Sequence, residues 1–283
     1  MSVAVVVDSA ASLPRDLVAQ LDIGLVPMNL VVDGREMRDT DIMIEELLER
    51  LDSGEVSTSG PSPGEFASEI ERALDRADEV LVLTISQQMS STYASAELAA
   101  QLVSGTVRVV DTRTAAGGEG LVALAAARAA AGGGSIDEVE AVVHDVAGRV
   151  RLVASVDSLD HLARSGRVPN IARLAASTLH IDMVFEFRDG AARALPPALG
   201  HKSARSRIVQ RCLSARPSEH AVLHVAALDA HATDRAQALL DEVLDGVPDA
   251  DWFIGSFGPV MLVHVGPGVS GLAWWWDDGA PTD

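Results

Sequence analysis

Mostly apolar, β-branched runs recur along the chain at residues 3–7, 80–85, 107–110, 151–156, 221–227 and 260–265. They do not alternate with polar residues, so each predicts a strand covered on both faces, as in a parallel sheet flanked by helices. Between them the spacing becomes helical. Phe66, Ile70 and Leu74 recur at i, i+4 and i+8, and further helices are predicted over 94–103, 120–131 and 136–150. Strand–helix alternation of this kind predicts an α/β fold. Local punctuation agrees. Ser62, Pro63 and Glu65 form a capping-box pattern with proline at the first helical position, and Ser135 precedes a first turn holding Asp137 and Glu138.

After about residue 150 the rhythm changes. A helix over 157–164 should stop at Gly166, and residues 185–195 read as a hairpin turning at Asp189-Gly190. Two domains are therefore expected: 1–150, built on a mostly parallel sheet with flanking helices, and 151–283, a second α/β unit. Trp274-Trp275-Trp276 reads as the last strand with alternate rings buried.

The length of 283 residues accommodates two such cores. Against 22 Lys and Arg stand 41 Asp and Glu, a formal charge of −19. Nucleic acid and anionic membrane surfaces both need a basic face, so neither is expected as a partner. The single cysteine, Cys212, can close no intramolecular disulfide and fits a reducing compartment. The first residues lack the basic region of a signal peptide, the apolar run 3–7 ends at Asp8, and no stretch reads as a membrane span. A cytoplasmic protein without stable membrane insertion is the expectation.

In an open parallel sheet ligands sit where strands end and helices begin. The segments after the predicted strands are rich in hydroxyls: Asp8-Ser9, the segment 86–92, and Asp111-Thr112. Thr58 and Ser59 precede a rigid Gly60-Pro61 turn, in a loop that can be ordinary or can aim two donors at an anion. Ser90-Ser91-Thr92-Tyr93 opens a helix, where one hydroxyl suffices for capping and the amides favour a carboxylate or phosphate. Arg167, just after Gly166, is by itself an ordinary surface charge. His264 falls on the same face of its predicted strand as Val260 and Leu262, which suits a core histidine, and Gly266-Pro267-Gly268 beyond it lets a backbone or a ligand come close. No phosphate-binding loop, dinucleotide fingerprint, zinc-binding helix or serine elbow is present, and nothing implies a cofactor. His220 and His224, four apart in an expected strand, would stand ~13 Å apart, too far for one metal.

Taken in order, these segments resemble the DegV family. The resemblance runs from Asp8-Ser9-Ala10-Ala11-Ser12-Leu13-Pro14 through Val26-Pro27-Met28, the segment 58–66, Ser90-Ser91-Thr92-Tyr93 and Asp111-Thr112. It continues through Leu159-Asp160-His161-Leu162-Ala163-Arg164-Ser165-Gly166-Arg167-Val168 to His264-Val265-Gly266-Pro267-Gly268. It implies a two-domain α/β protein that binds a long-chain fatty acid between its domains. It also implies a partner, a separate fatty-acid kinase that phosphorylates the presented carboxylate for phospholipid synthesis, so this chain would be a carrier and not an enzyme. By the same resemblance Thr58 and Ser59 match the family's anion loop, Ser90 and Ser91 its second carboxylate loop, Arg167 the arginine of its Gly-Arg-Ile motif and His264 the histidine before its Gly-Pro-Gly. Where the family has Leu-Asn-Ile-Lys-Pro, this chain has Leu179-His180-Ile181-Asp182-Met183.

Elementary energetics fit that expectation. Removing about sixteen carbons from water at ~0.8 kcal/mol per methylene gives a gross gain above ~10 kcal/mol before ordering costs. The carboxylate opposes it, because a buried charge needs hydrogen bonds and a protein of charge −19 repels anions at long range. Hydroxyls with a cation, Arg167 or His264, are the expected remedy. Two other classes fit the same residues: a non-catalytic sensor or adaptor for another small anion, and a serine hydrolase, for which His264 is the sole candidate base near Ser9 or Ser90.

Overall fold

The computed structural model describes residues 1–51, 56–167, 182–231 and 233–279. Up to residue 150 the strands are β1 (Val3–Asp8), β2 (Gly24–Val26), β3 (Asn29–Val32), β4 (Arg35–Arg38), β5 (Val56–Ser59), β6 (Glu79–Thr84) and β7 (Thr106–Asp111). The helices there are α1 (Arg15–Gln20), α2 (Ile44–Leu51), α3 (Pro63–Leu74), α4 (Thr92–Leu102), α5 (Gly117–Ala131) and α6 (Ile136–Arg149). Beyond it come β8 (Arg151–Val156), α7 (Asp160–Ser165), β9 (Met183–Arg188), β10 (Ala191–Ala194), α8 (His201–Ser214), β11 (Val222–Asp229), α9 (Thr233–Gly246), β12 (Asp251–Ser256), α10 (Pro259–Val265) and β13 (Ser270–Asp277).

Three sheets result. The first, β2-β1-β6-β7, is wholly parallel, and its strands β1 and β6 are mostly apolar and buried. A small antiparallel sheet, β4-β3-β5, stands beside it. The third has the order β10-β9-β8-β13-β11-β12 and is mixed. Its runs at 151–156 and 221–227 are not parallel neighbours, since β13 lies between them, antiparallel to both. They lack alternation because helices cover both faces of this sheet. α8 and α9 cover one face and α5 the other, and α5 also packs on β1 and β6. A helix serving two sheets is apolar on most of its faces, which explains the alanine-rich α5, buried over most of its length up to Ala127.

Local signals hold where they are self-contained. The Ser62–Glu65 and Ser135–Glu138 capping boxes form, Gly166 adopts the left-handed conformation after α7, and the β9–β10 hairpin turns through Asp189 and Gly190, both with positive φ. Two expectations fail. Residues 260–265 are helical, because Pro259 occupies the first turn of α10 after Gly258 and cannot join a ladder. All three tryptophans are buried rather than alternate ones, because β13 is a central strand. Trp274 and Trp276 join one apolar cluster and Trp275 the other, where it stacks on His224 with ring centroids 4.4 Å apart. His224 bonds Asp251 at 2.9 Å, while His220 precedes the strand and is exposed.

No helix among the described residues is long and apolar enough to cross a membrane. Val168 and residues 179–181 of the expected motifs lie outside the described residues. Asp182 is described: its carboxylate lies 2.7 Å from His201 Nδ1, next to Asp157, which Arg235 contacts at 2.6 Å.

Candidate functional site

A cavity of about 620 Å³ opens where residues just beyond the parallel strands, Met28, Ile85 and Ala115, meet the β9–β10 hairpin and α10. Its floor is a cross-strand row: Leu152 of β8 pairs with Phe187 of β9, which pairs with Ala192 of β10. Phe185, two residues along β9, continues the same face. The hairpin is fixed in place because Ser86 Oγ donates to Gly190 O at 2.8 Å and Gly190 N–H to Arg113 O at 2.9 Å. On α10 the face formed by Val260, Met261, His264 and Val265 closes the wall, a spacing only a helix provides.

One end is polar. Thr58 lies on β5, a strand and not the expected loop, and its Oγ1 is 2.9 Å from His264 Nε2. Burial, and secondarily Arg167, pushes the His264 imidazole down to about 4, so it is neutral near pH 7 and supplies hydrogen bonding rather than charge. The cation is Arg167. Burial holds its guanidinium below the usual arginine range, and its partners among the described residues are two backbone carbonyls, Met89 O at 3.3 Å and Ser165 O at 2.9 Å. Ser90 Oγ lies 2.7 Å from Thr92 Oγ1 and accepts the Thr92 amide at 3.3 Å, so Ser90 caps α4 in place of Ser91. Gly60 lets the β5–α3 connection lie against these hydroxyls, since a Cβ there would stand 2.9 Å from Thr92 Oγ1 and 3.5 Å from Ser90 Oγ.

Of the six expected site residues, Thr58, Ser90, Arg167 and His264 line the cavity half-buried. Ser59 and Ser91 also border it but are exposed, and Ser59 Oγ donates to Glu36 at 3.4 Å. His264 pairs with Thr58, not with Ser90 or Ser9, whose hydroxyl instead donates to Asp39 at 2.7 Å. Sequence reading missed Ser165 and the aromatic floor. Phe185 and Phe187 carry no signal that separates a cavity wall from ordinary core, whereas their shared face on a hairpin was open to inspection.

The glycines after α10 admit side chains rather than a backbone or ligand. Gly266, at φ +78°, lies so close to His161 that a Cβ would come within 2.6 Å of the ring. Gly266→Ala is expected to destabilise the protein by about 1–3 kcal/mol. Denaturant titration checks this, and a smaller loss in a His161→Ala background assigns the remainder to that contact.

A family model described as "Uncharacterised protein, DegV family" matches residues 2–276. A DegV domain-containing protein of Mycobacterium tuberculosis is 33% identical over 277 residues, covering 96% of each chain. One from Deinococcus radiodurans is 34% identical over 276 residues, covering 96% of this chain and 98% of the other. Among solved structures, a DegV family protein from Thermus thermophilus described for fatty acid binding superposes with a TM-score of 0.91 at 32% identity, over 97% of this chain and 99% of that one. A Thermotoga maritima protein described as revealing fatty acid binding function gives 0.83 at 28%, over 97% and 99%. The chain belongs to the DegV family.

Proposed function

We propose that this protein binds a long-chain fatty acid, with the acyl chain in the 620 Å³ cavity and the carboxylate at Thr58, Ser90, Arg167 and His264, flanked by Ser59 and Ser91. One observation carries the reading: an apolar cavity that ends at a half-buried guanidinium held only by backbone carbonyls among the described residues. The volume lies within the ~300–1,000 Å³ of small-molecule pockets. The tail supplies affinity, and the neutral imidazole and hydroxyls orient the acid without transforming it. The fatty acid binding described for the Thermus thermophilus and Thermotoga maritima relatives supports the assignment.

In this reading the first 150 residues supply the hydroxyl loops, residues 151–283 close the cavity, and the loaded protein acts in the cytoplasm as a carrier. It presents the carboxylate to a separate fatty-acid kinase. Native mass spectrometry of protein purified from cells is expected to retain a long-chain fatty acid. Protein that is empty and ignores added palmitate and oleate, yet binds a small polar carboxylate, would replace the carrier by the sensor reading. The kinase step is checked separately, by acyl hydroxamate formation when the palmitate-loaded protein meets a candidate kinase and ATP.

A further inference from the structure

The mixed sheet carries another cavity, of about 250 Å³, on the face turned away from the acyl cavity. Side chains alternate along β8, so Leu152 lines the acyl cavity while Val153 and Ser155 face the side covered by α8 and α9. Two serines belong to its floor. Ser155 of β8 and Ser270 of β13 are cross-strand partners, 7% and 5% exposed, and neither hydroxyl has a hydrogen-bond partner among the described residues. A buried hydroxyl normally finds one, so two left open toward the same space mark a place where a further molecule completes the bonding.

The walls are graded from polar to apolar. α8 contributes His201, Arg205 and Ile208 at i, i+4 and i+7, and α9 contributes Asp234 and Arg235, then Ala238 and Leu239 one turn on. Some of the charges are already matched. Arg235 donates to Asp157 at 2.6 Å and to Gly268 O at 2.9 Å, and His201 Nδ1 lies 2.7 Å from Asp182. Two groups keep free capacity. Arg205 engages Glu242 through Nε at 3.0 Å, which leaves the terminal nitrogens of its fork without partners among the described residues. Asp234 has no ion-pair partner there either. Taken singly, an acid in the first turn of a helix is ordinary. Around one enclosed space, an open guanidinium fork, an open carboxylate, two open hydroxyls and an aliphatic wall are the complement of a zwitterion with an apolar side chain.

We infer that this cavity binds a free aliphatic α-amino acid of about the size of leucine. Its carboxylate sits on the Arg205 fork, its ammonium at Asp234 and the serine hydroxyls, and its side chain against Ile208, Ala238 and Leu239. A simple anion would leave Asp234 unmet in a chain of charge −19, and a simple cation would leave the Arg205 fork open. The inference does not rest on the fatty-acid reading, since the two cavities line opposite faces of the sheet.

Calorimetry on the full chain compares leucine with isocaproate, which lacks the ammonium, and isoamylamine, which lacks the carboxylate. Leucine is expected to bind saturably and at least tenfold more tightly than either. Asp234→Asn, at an exposed side chain, should weaken leucine at least tenfold and isocaproate less than threefold. Arg205→Met should weaken leucine and isocaproate but leave isoamylamine within threefold. Ala238→Phe fills the cavity and should abolish leucine binding; if that variant does not fold, the exposed Asp234 variant decides alone. Isocaproate binding as tightly as leucine makes the cavity a plain anion site, and isoamylamine doing so makes it a cation site; both overturn the inference. It is overturned equally by wild-type protein that binds palmitate but ignores leucine, isoleucine and valine, or by leucine binding that survives both Asp234→Asn and a folded Ala238→Phe.

Discussion

Arg167→Met is expected to weaken palmitate binding by roughly 10–100-fold, because it leaves the stem in place and removes the charge. A carboxylate drawn out of water into an apolar enclosure costs several kcal/mol unless ionic hydrogen bonds replace its hydration. Among the candidate ligand residues Arg167 alone is charged near neutral pH, since His264 titrates at about 4. Charge-assisted bonds contribute ~1.5–3 kcal/mol, and each 1.4 kcal/mol is tenfold in affinity. Thr58→Val should cost less, ~0.5–1.5 kcal/mol, because a neutral bond is lost. Fluorescence displacement with a labelled fatty acid measures both. His264 provides an independent readout: with Arg167 gone its pKa should move up from about 4 while burial still holds it below 6.5, as followed by imidazole NMR. Unchanged palmitate affinity in Arg167→Met would sink the headgroup assignment.

Glu119→Gln is expected to raise the melting temperature at pH 8 by at least ~4 °C, taking ~2–4 °C per kcal/mol for a chain of this size class. Glu119, in the first turn of α5, is completely buried, and burial first, then the neighbouring Asp8, pushes its carboxyl well above the usual range. Asp8 is buried too and is pushed up to about 7 by burial, although it accepts the amides of Ile85 at 2.9 Å and Ala10 at 3.0 Å. Asp39 adds repulsion at Asp8, and Asp111 at Glu119. Both carboxyls therefore favour the protonated form, beneath the Ile85 amide that Asp8 accepts.

Stability should accordingly decline toward alkaline pH. Both folded pKa values lie above the unfolded ones, so the stability they contribute is complete below about pH 4. It drains away as pH rises, through about 7 for Asp8, with Glu119 also titrating well above the usual carboxyl range. Glutamine keeps the size of the side chain and has no proton to lose. The melting temperature of the variant should fall less steeply between pH 4 and 8. Parallel curves for the two proteins, with no gain at pH 8, would mean that the pair is not protonated in the way described.

What could be read in the sequence was whatever a few neighbouring residues decide. A capping serine and its glutamate, or Asp189-Gly190, settle their own geometry within one turn, and the strand runs announce burial on both faces. Residues 260–265 misled because their β-branched composition favours a strand, whereas Gly258-Pro259 and the packing of α10 on the cavity decide for a helix. The site was half legible. Thr58 and Ser90 stood out as polar groups with no full structural occupation and Arg167 and His264 through the family resemblance, yet their meeting depends on contacts across 206 positions, from Thr58 to His264, that no local pattern encodes. Arg167 and His264 could not be told apart as the cation for the same reason, since only the folded surroundings lower the pKa of His264.

The position of α5 has a consequence for descent. One helix, contributed by the N-terminal half, is the common wall of both large sheets. A shuffled gene that joined this half to a foreign C-terminal partner would inherit a surface shaped for β11 and β13, and must supply their counterpart or leave it bare. The halves can diverge in sequence, but they are constrained to do so together.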